Sequence, residues 1–411
     1  MDIHVLWACV VCFSAVMYTI FDGFDLGVGI LIPFVRNEDQ RDTMVESITP
    51  IWDGNETWLI LMGVGLFGGF PRAYSVLLPA LYIPLTLMLL SLILRGVAME
   101  FRFMSATRKT WWDITFALGS IMAAFCQGII LGNLMEGIKI DKDFNYPIPA
   151  FSFLNPFTIL IGFSLVITYA LIGTTWLNLK TTGLLQHRFK IYASRIVVIL
   201  VLLFAVIIWG RFNWGIFAPR YGAYGIRSIL SAASVIWYVL TLALMAGIYQ
   251  TIYFSRERIP FVLNILMTVV SALYIVSGFW PYIIPPDLTI FDAGSPAYGN
   301  TILLVSSFIV IPVILSYLIY SYSVFKGKVN GKDYEPVLRA EDLALDPVKL
   351  NDHKDSVIKQ MTMSWPLRII ISIAGIIFFF VAIGCLGDLP ALLSIGIFVI
   401  AFLVACFKYK N

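Results

Sequence analysis

The stretch Phe21-Asp22-Gly23-Phe24-Asp25-Leu26-Gly27-Val28-Gly29 sits inside an otherwise apolar run from about residue 5 to residue 33. A run of that length is enough to span a bilayer as a helix, which takes about 20 apolar residues. Two aspartates at that depth are costly, roughly 2.5–3.5 kcal/mol each on insertion scales, so each is expected to face a partner, water or a pathway. Spacing i, i+3 sets Asp22 and Asp25 on neighbouring faces of one helix. Gly23, Gly27 and Gly29 leave room for a second helix or a bound group to approach the backbone. Two readings stand at this point. Either the acids are protonated hydrogen-bond donors to neighbouring helices, or they form a proton relay, since buried carboxyls can exchange protons near neutral pH.

The rest of the chain agrees that the surroundings are a membrane. Of its 411 residues 59% are hydrophobic and 13% charged, about half the roughly 25% charged residues of a soluble domain. The net charge is +3, with basic residues scattered over many loops, which argues against a nucleic-acid partner. The five cysteines all lie in apolar segments, and Cys9-Val10-Val11-Cys12 has no second pair, so they read as small packing residues. The first apolar stretch has no basic region before it and contains the two aspartates, so it reads as a retained helix and not as a signal peptide.

Apolar runs recur at approximately 5–33, 51–74, 76–99, 112–135, 156–179, 192–213, 229–252, 261–283, 299–324, 366–385 and 389–408. The sequence thus predicts an all-α polytopic membrane protein. Its parts are a nine-helix body over residues 1–325, a polar linker over 326–364 and a two-helix membrane extension over 365–411. No short-period repeat is visible.

Lys and Arg in alternate loops set the orientation. One set of loops holds Arg36, Arg41, Arg95, Arg102, Arg108, Lys109, Lys180, Arg188, Lys190, Arg256, Arg258, Lys326, Lys328, Lys332 and Arg339, fifteen in all, against six in the other set, Arg72, Lys139, Lys142, Arg211, Arg220 and Arg227. The N-terminus is therefore expected outside and the loops after helices 1, 3, 5, 7 and 9 inside, with the C-terminus also cytoplasmic.

A second acidic motif opens the second span: Pro50-Ile51-Trp52-Asp53-Gly54-Asn55-Glu56-Thr57-Trp58. Asp53 and Glu56 near a helix N-terminus have an ordinary explanation in capping and the helix dipole. Against that stands Arg95 at the same membrane face, followed by Glu100 and Arg102. Acids and a guanidinium gathered at one face, below two intramembrane aspartates, describe a proton entrance. Gln127, Asn133, Glu136, Thr174 and Thr175 read as interhelical hydrogen bonding. The three histidines, His4, His187 and His353, all lie outside the spans, where a heme iron would need an axial His or Met. The chain alone is expected to bind no heme or metal.

The order and spacing of Asp22-Gly-Phe-Asp25-Leu-Gly-Val-Gly29, then Trp52-Asp53-Gly54-Asn55 and Trp58, closely resemble subunit II of cytochrome bd-type quinol oxidases. Leu94 through Arg102, Gln127-Gly128, Thr175 through Thr181, Trp280-Pro281-Tyr282 and Leu288 through Ala293 match as well, so the resemblance covers about residues 3–325. Phe101-Arg102 and Thr-Trp-Leu-x-x-Lys-Thr look most like the cyanide-insensitive branch.

The resemblance implies two four-helix bundles plus a peripheral helix, in the bacterial cytoplasmic (inner) membrane. It implies pairing with a heme-binding subunit I that holds three hemes (two b-type and one d- or b-type), oxidises quinol and reduces oxygen to water. Subunit II would stabilise that partner and help deliver cytoplasmic protons to it. The role would fall here on Asp22, Asp25, Asp53 and Glu56, with Trp52, Arg95 and Glu100 shaping the entrance. Membrane lipid and quinone are further expected contacts. The two-helix extension departs from the family; it reads as an outer hairpin, or as a stand-in for a small single-helix accessory subunit. Two other classes compete on the residues alone. A proton-coupled secondary transporter also places carboxylates at mid-membrane, although the acidic motif has no counterpart in the second half of the chain. A structural scaffold would use the aspartates only to bond neighbouring helices.

Overall fold

Residues Ile3–Leu31 form one uninterrupted 29-residue helix, α1, capped by Asp2, whose side chain accepts from the His4 amide. At 1.5 Å per residue it is roughly 43 Å long, ample to cross a hydrocarbon core. It belongs to a computed structural model that describes residues 2–105, 108–138, 140, 151–213 and 232–329. The predicted helices at 366–385 and 389–408, and all but the start of the linker, lie outside the described residues.

After α1 the chain makes a short amphipathic helix α2 (Glu38–Glu46), with Asn37 as N-cap and Glu38 and Asp39 in its first turn. The following helices are α3 (Trp52–Gly69), α4 (Pro71–Ala80), α5 (Tyr82–Met104), α6 (Lys109–Glu136) and α7 (Pro156–Lys180). Next come α8 (Gly183–Asn213), α9 (Ala232–Tyr253), α10 (Ile259–Phe279), the single turn α11 (Ile290–Ala293) and α12 (Ala297–Val324). A two-stranded antiparallel hairpin, β1 (Tyr282–Ile284) and β2 (Leu288–Thr289), sits in the loop between α10 and α11. Among the described residues eight helices are long and apolar enough to cross a membrane, or nine if α3 and α4 count as one broken span.

Three boundaries differ from the sequence reading. The second span stops at Gly69, and α4 departs from it at 118°, because Pro71 cannot donate to a continuing helix but suits the first position of a new one. The third span runs to Met104 and not to 99. Its charged residues do not end the helix because Arg95 and Arg102 are buried against acids. Both are helix residues, and not the loop cations that the charge pattern predicts. Likewise α8 begins at Gly183, nine residues before the predicted 192, and carries His187, Arg188 and Lys190 on its first turns.

Packing separates two groups. Helix α1 packs against α3, α6 and α7, and α5 against α6, while α7, α8, α9 and α10 form the second bundle and α12 lies along α3 and α1. The main core fills the first group, and a second core of Leu171, Val197, Leu244, Ile248 and Met267 fills the other. The closest crossing joins the two: a Cβ on Gly27 would collide with the Tyr169 carbonyl and with the Gly173 backbone, so α1 and α7 touch backbone to backbone. At the end of α12, Lys180 Nζ donates to the Phe325 carbonyl at 2.8 Å and Lys328 pairs with Glu257 at 2.8 Å.

Candidate functional site

The helix crossing at Gly27 sets the depth of the two aspartates. Asp25 lies six residues before the end of α1, roughly 9 Å along the helix axis. Both Asp22 and Asp25 are fully buried, and each meets a different helix.

Asp22 is paired with Arg95 of α5, whose guanidinium also binds Glu56 of α3. One planar fork thereby ties α1, α3 and α5 together, a geometry open to Arg and closed to the single ammonium of Lys. Trp52 covers it, its ring centroid 5.9 Å from the guanidinium carbon. Asp25 instead accepts from Asn55 Nδ2 at 2.7 Å, and Asn55 Oδ1 accepts from the Tyr322 hydroxyl at 2.9 Å. Asp25 Oδ1 has no hydrogen-bond partner among the described residues. The result is one guanidinium among three carboxyls, Asp22, Asp25 and Glu56. Full ionisation of all three would leave negative charge that the single guanidinium does not balance in an apolar interior.

Helix α3 brings the second motif to the end of the bundle where α1 finishes. Trp52 and Glu56 join the cluster, but Asp53 is exposed. The capping explanation for Asp53 fails, because the first turn of α3 has no side-chain cap bond. Glu100 is exposed on α5, one turn beyond Arg95. The structure therefore brings together Asp22, Asp25, Glu56, Arg95 and Trp52, and leaves Asp53 and Glu100 at the surface.

Two parts of the site went unread in the sequence. Asn55 had only its place in the Trp-Asp-Gly-Asn motif, and Tyr322 had no signal at all among the aromatics of α12. The second is an ion-pair network below the carboxyl cluster. Fully buried Arg102 binds Asp113 of α6 and Asp42 of α2, each at 2.6 Å. Lys109 reaches Asp42 at 2.8 Å and Glu38 at 3.4 Å, and Arg41 reaches Asp113 at 2.8 Å. Partial burial pushes the Asp42 carboxyl up, but hydrogen bonds from Lys109 and Arg102 outweigh it and hold it below the usual carboxylate range. Asp113, an acid four residues into an apolar helix, was a readable signal; Asp42, in a polar segment, was not.

Of the two histidines among the described residues, His4 Nδ1 lies 2.9 Å from Asn300 Nδ2 at the far end of α1, and His187 is exposed on α8. Neither points into a bundle where an axial ligand would stand. Among the described residues no three His, Cys, Asp or Glu side chains gather as a metal site.

Comparison with known proteins matches residues 3–325 to the family described as cytochrome bd terminal oxidase subunit II. The chain is 29% identical over 339 residues to cytochrome bd ubiquinol oxidase subunit 2 of Bacillus subtilis strain 168, covering 81% of this chain and 98% of that one. It is 26% identical over 370 residues to cytochrome bd-I ubiquinol oxidase subunit 2 of Escherichia coli K12, covering 80% of this chain and 96% of that one. A chain in the structure of bd oxidase from Geobacillus thermodenitrificans superposes with a TM-score of 0.64 at 17% identity, over 79% of this chain and 100% of that one, a likeness of fold.

Proposed function

The chain belongs to the cytochrome bd terminal oxidase subunit II family, and on that premise we propose that it stabilises a heme-bearing subunit I and hands it cytoplasmic protons. As a family member it is a multi-pass membrane subunit of a bacterial respiratory quinol oxidase, an oxidoreductase complex. In our reading the hemes and the quinol site belong to the partner, since the described histidines stand at helix ends. The N-terminus faces outward, so the ends of α1 and α5 and the start of α3 face the cytoplasm, in keeping with the excess of Lys and Arg there.

The observation that carries the proton role is the unequal charge count, one guanidinium for three carboxyls, in a buried cluster near one membrane face. Glu56 is half-buried, between the exposed Asp53 and the fully buried aspartates. Protons would arrive at Asp53, pass Glu56 and reach Asp22 and Asp25, with Trp52 and Arg95 holding the geometry and Glu100 at the rim. Carboxyl chains of this kind serve as proton relays in membrane proteins. The transporter alternative draws no support from any relative found.

The test is made on the purified two-subunit complex. Asp22→Asn and Asp25→Asn are each expected to slow quinol-driven oxygen consumption while the heme content per complex stays near that of the parent. Equal losses of heme and activity would mean that the aspartates only hold helices together.

A further inference from the structure

We infer that Tyr322 is a positioning residue that turns the Asn55 amide so that its nitrogen, and not its oxygen, faces Asp25. The two ends of an asparagine amide have nearly the same shape, so their hydrogen-bonding neighbours decide which end points where. Here those neighbours stand on two sides. The Tyr322 hydroxyl of α12 donates to Asn55 Oδ1 at 2.9 Å. On the other side Asn55 Nδ2 donates to Asp25 Oδ2 at 2.7 Å and lies 3.5 Å from the Phe21 carbonyl. Turning the amide over would set its oxygen beside that carbonyl, which can only accept, and would require a proton on Asp25 Oδ2.

The consequence falls on Asp25. Its Oδ2 is occupied by the amide N–H, so a proton that Asp25 takes up goes to Oδ1, which is buried with no hydrogen-bond partner among the described residues. Tyr322 thereby selects the oxygen through which Asp25 exchanges its proton, acting from α12 through α3 to α1. The tyrosine is itself held. It is buried, and its ring stands edge-on to Phe21 and Trp176, with centroids 5.5 Å and 6.3 Å away. One turn later the end of α12 is fastened to α7. Lys180 Nζ donates to the Phe325 carbonyl, and the Val329 amide donates to the Lys180 carbonyl, both at 2.8 Å. A side chain locked by its packing and by its helix end can aim a small polar group. This deepens the proton-delivery reading and rests on it.

A double-substitution cycle in the whole oxidase complex tests it, with Tyr322→Phe, Asp25→Asn and the two combined. The readouts are kcat and the quinol KM of oxygen consumption, heme content, and the ratio of turnover in water to turnover in heavy water. Tyr322→Phe keeps the ring and removes one hydrogen bond, so kcat is expected to fall roughly three- to tenfold. Quinol KM and heme content should stay at the parent's values. The isotope ratio should rise, because proton transfer then limits more of the turnover. Adding Tyr322→Phe to Asp25→Asn should cost nothing more, because the tyrosine acts through the missing carboxyl.

A Tyr322→Phe complex with the parent's kcat and isotope ratio, beside a slow Asp25→Asn complex, would overturn the inference. So would a kcat that falls in step with heme content at an unchanged isotope ratio, the mark of a purely structural tyrosine. A full additional loss on top of Asp25→Asn would overturn it as well. An Asp25→Asn complex at full turnover would instead remove the proton-delivery reading, and this inference with it.

Discussion

The Asn55 amide donates to Asp25 Oδ2 at 2.7 Å, while Asp25 Oδ1 is buried with no hydrogen-bond partner among the described residues. One oxygen of the carboxyl is anchored and the other is left for a proton. Replacing Asp25 by Asn preserves size and packing and removes proton exchange. Oxygen consumption of the complex is expected to fall on the order of 100-fold, the scale of a lost acid–base group, with heme content unchanged. Stopped-flow or electrode measurements of turnover beside heme quantification check this.

Arg95 predicts the opposite balance of effects. It is fully buried, and both Asp22 and Glu56 depend on it for charge. Removing one partner of a buried pair costs about 3–5 kcal/mol, enough to unfold many domains. Arg95→Leu is therefore expected to reduce the yield of heme-loaded complex before any question of rate arises. Arg95→Lys should assemble better but melt below the parent, since an ammonium cannot replace the two-armed fork. Thermal denaturation of the purified complex measures it; a parent-like melting temperature for Arg95→Leu would contradict the cluster geometry.

The Asp42 network gives a pH dependence whose sign can be worked out. Its folded carboxyl lies below the usual range because Lys109 and Arg102 bind the ionised form. A depressed carboxyl contributes stability fully present above its unfolded value, about 3.9, and lost as pH falls through the lowered folded value. The parent should therefore exceed Asp42→Asn in stability near neutral pH, by about 1 kcal/mol after allowing for partial exposure. The gap should close below about pH 3.9. Denaturation curves at neutral and acid pH compare the two.

The fold was more legible than the site. Apolar length alone located the transmembrane helices, because a bilayer demands long apolar runs. What failed was reading charge as a helix end. Arg95 and Arg102 lie inside α5 because acids from other helices neutralise them, and such partners, 73 residues apart for Arg95 and Asp22, leave no mark in a local window. The buried aspartates were visible because they break an apolar pattern. Asn55 and Tyr322 carry ordinary polar groups in ordinary places, and only their meeting gives them meaning.

The crossing at Gly27 ties the fold to the site. A Cβ there meets backbone atoms of α7, which cannot move aside as a flexible side chain would. Gly27→Ala is expected to force α1 and α7 apart and to cost about 1–3 kcal/mol, the usual range for overpacking. Asp25, two residues away, should lose its alignment with Asn55. Both heme content and turnover per heme are expected to fall. A complex with the parent's stability and rate would show that the contact is looser than described.

Asp53 separates the entrance from the relay. It is exposed in the first turn of α3, and that turn has no side-chain cap bond. Its contribution to stability is limited to the helix dipole, about 0.3–1 kcal/mol and screened by salt. Asp53→Asn should therefore leave melting temperature and heme content near the parent's. If protons are first collected there, turnover should still fall, and the deficit should shrink as added salt screens the parent's surface charge. Glu100→Gln is the matched control, another exposed acid, beyond Arg95 on α5 and outside the chain of carboxyls. A loss in Asp53→Asn that Glu100→Gln does not share would mark the first residue of the path; equal effects would reduce both to general surface charge.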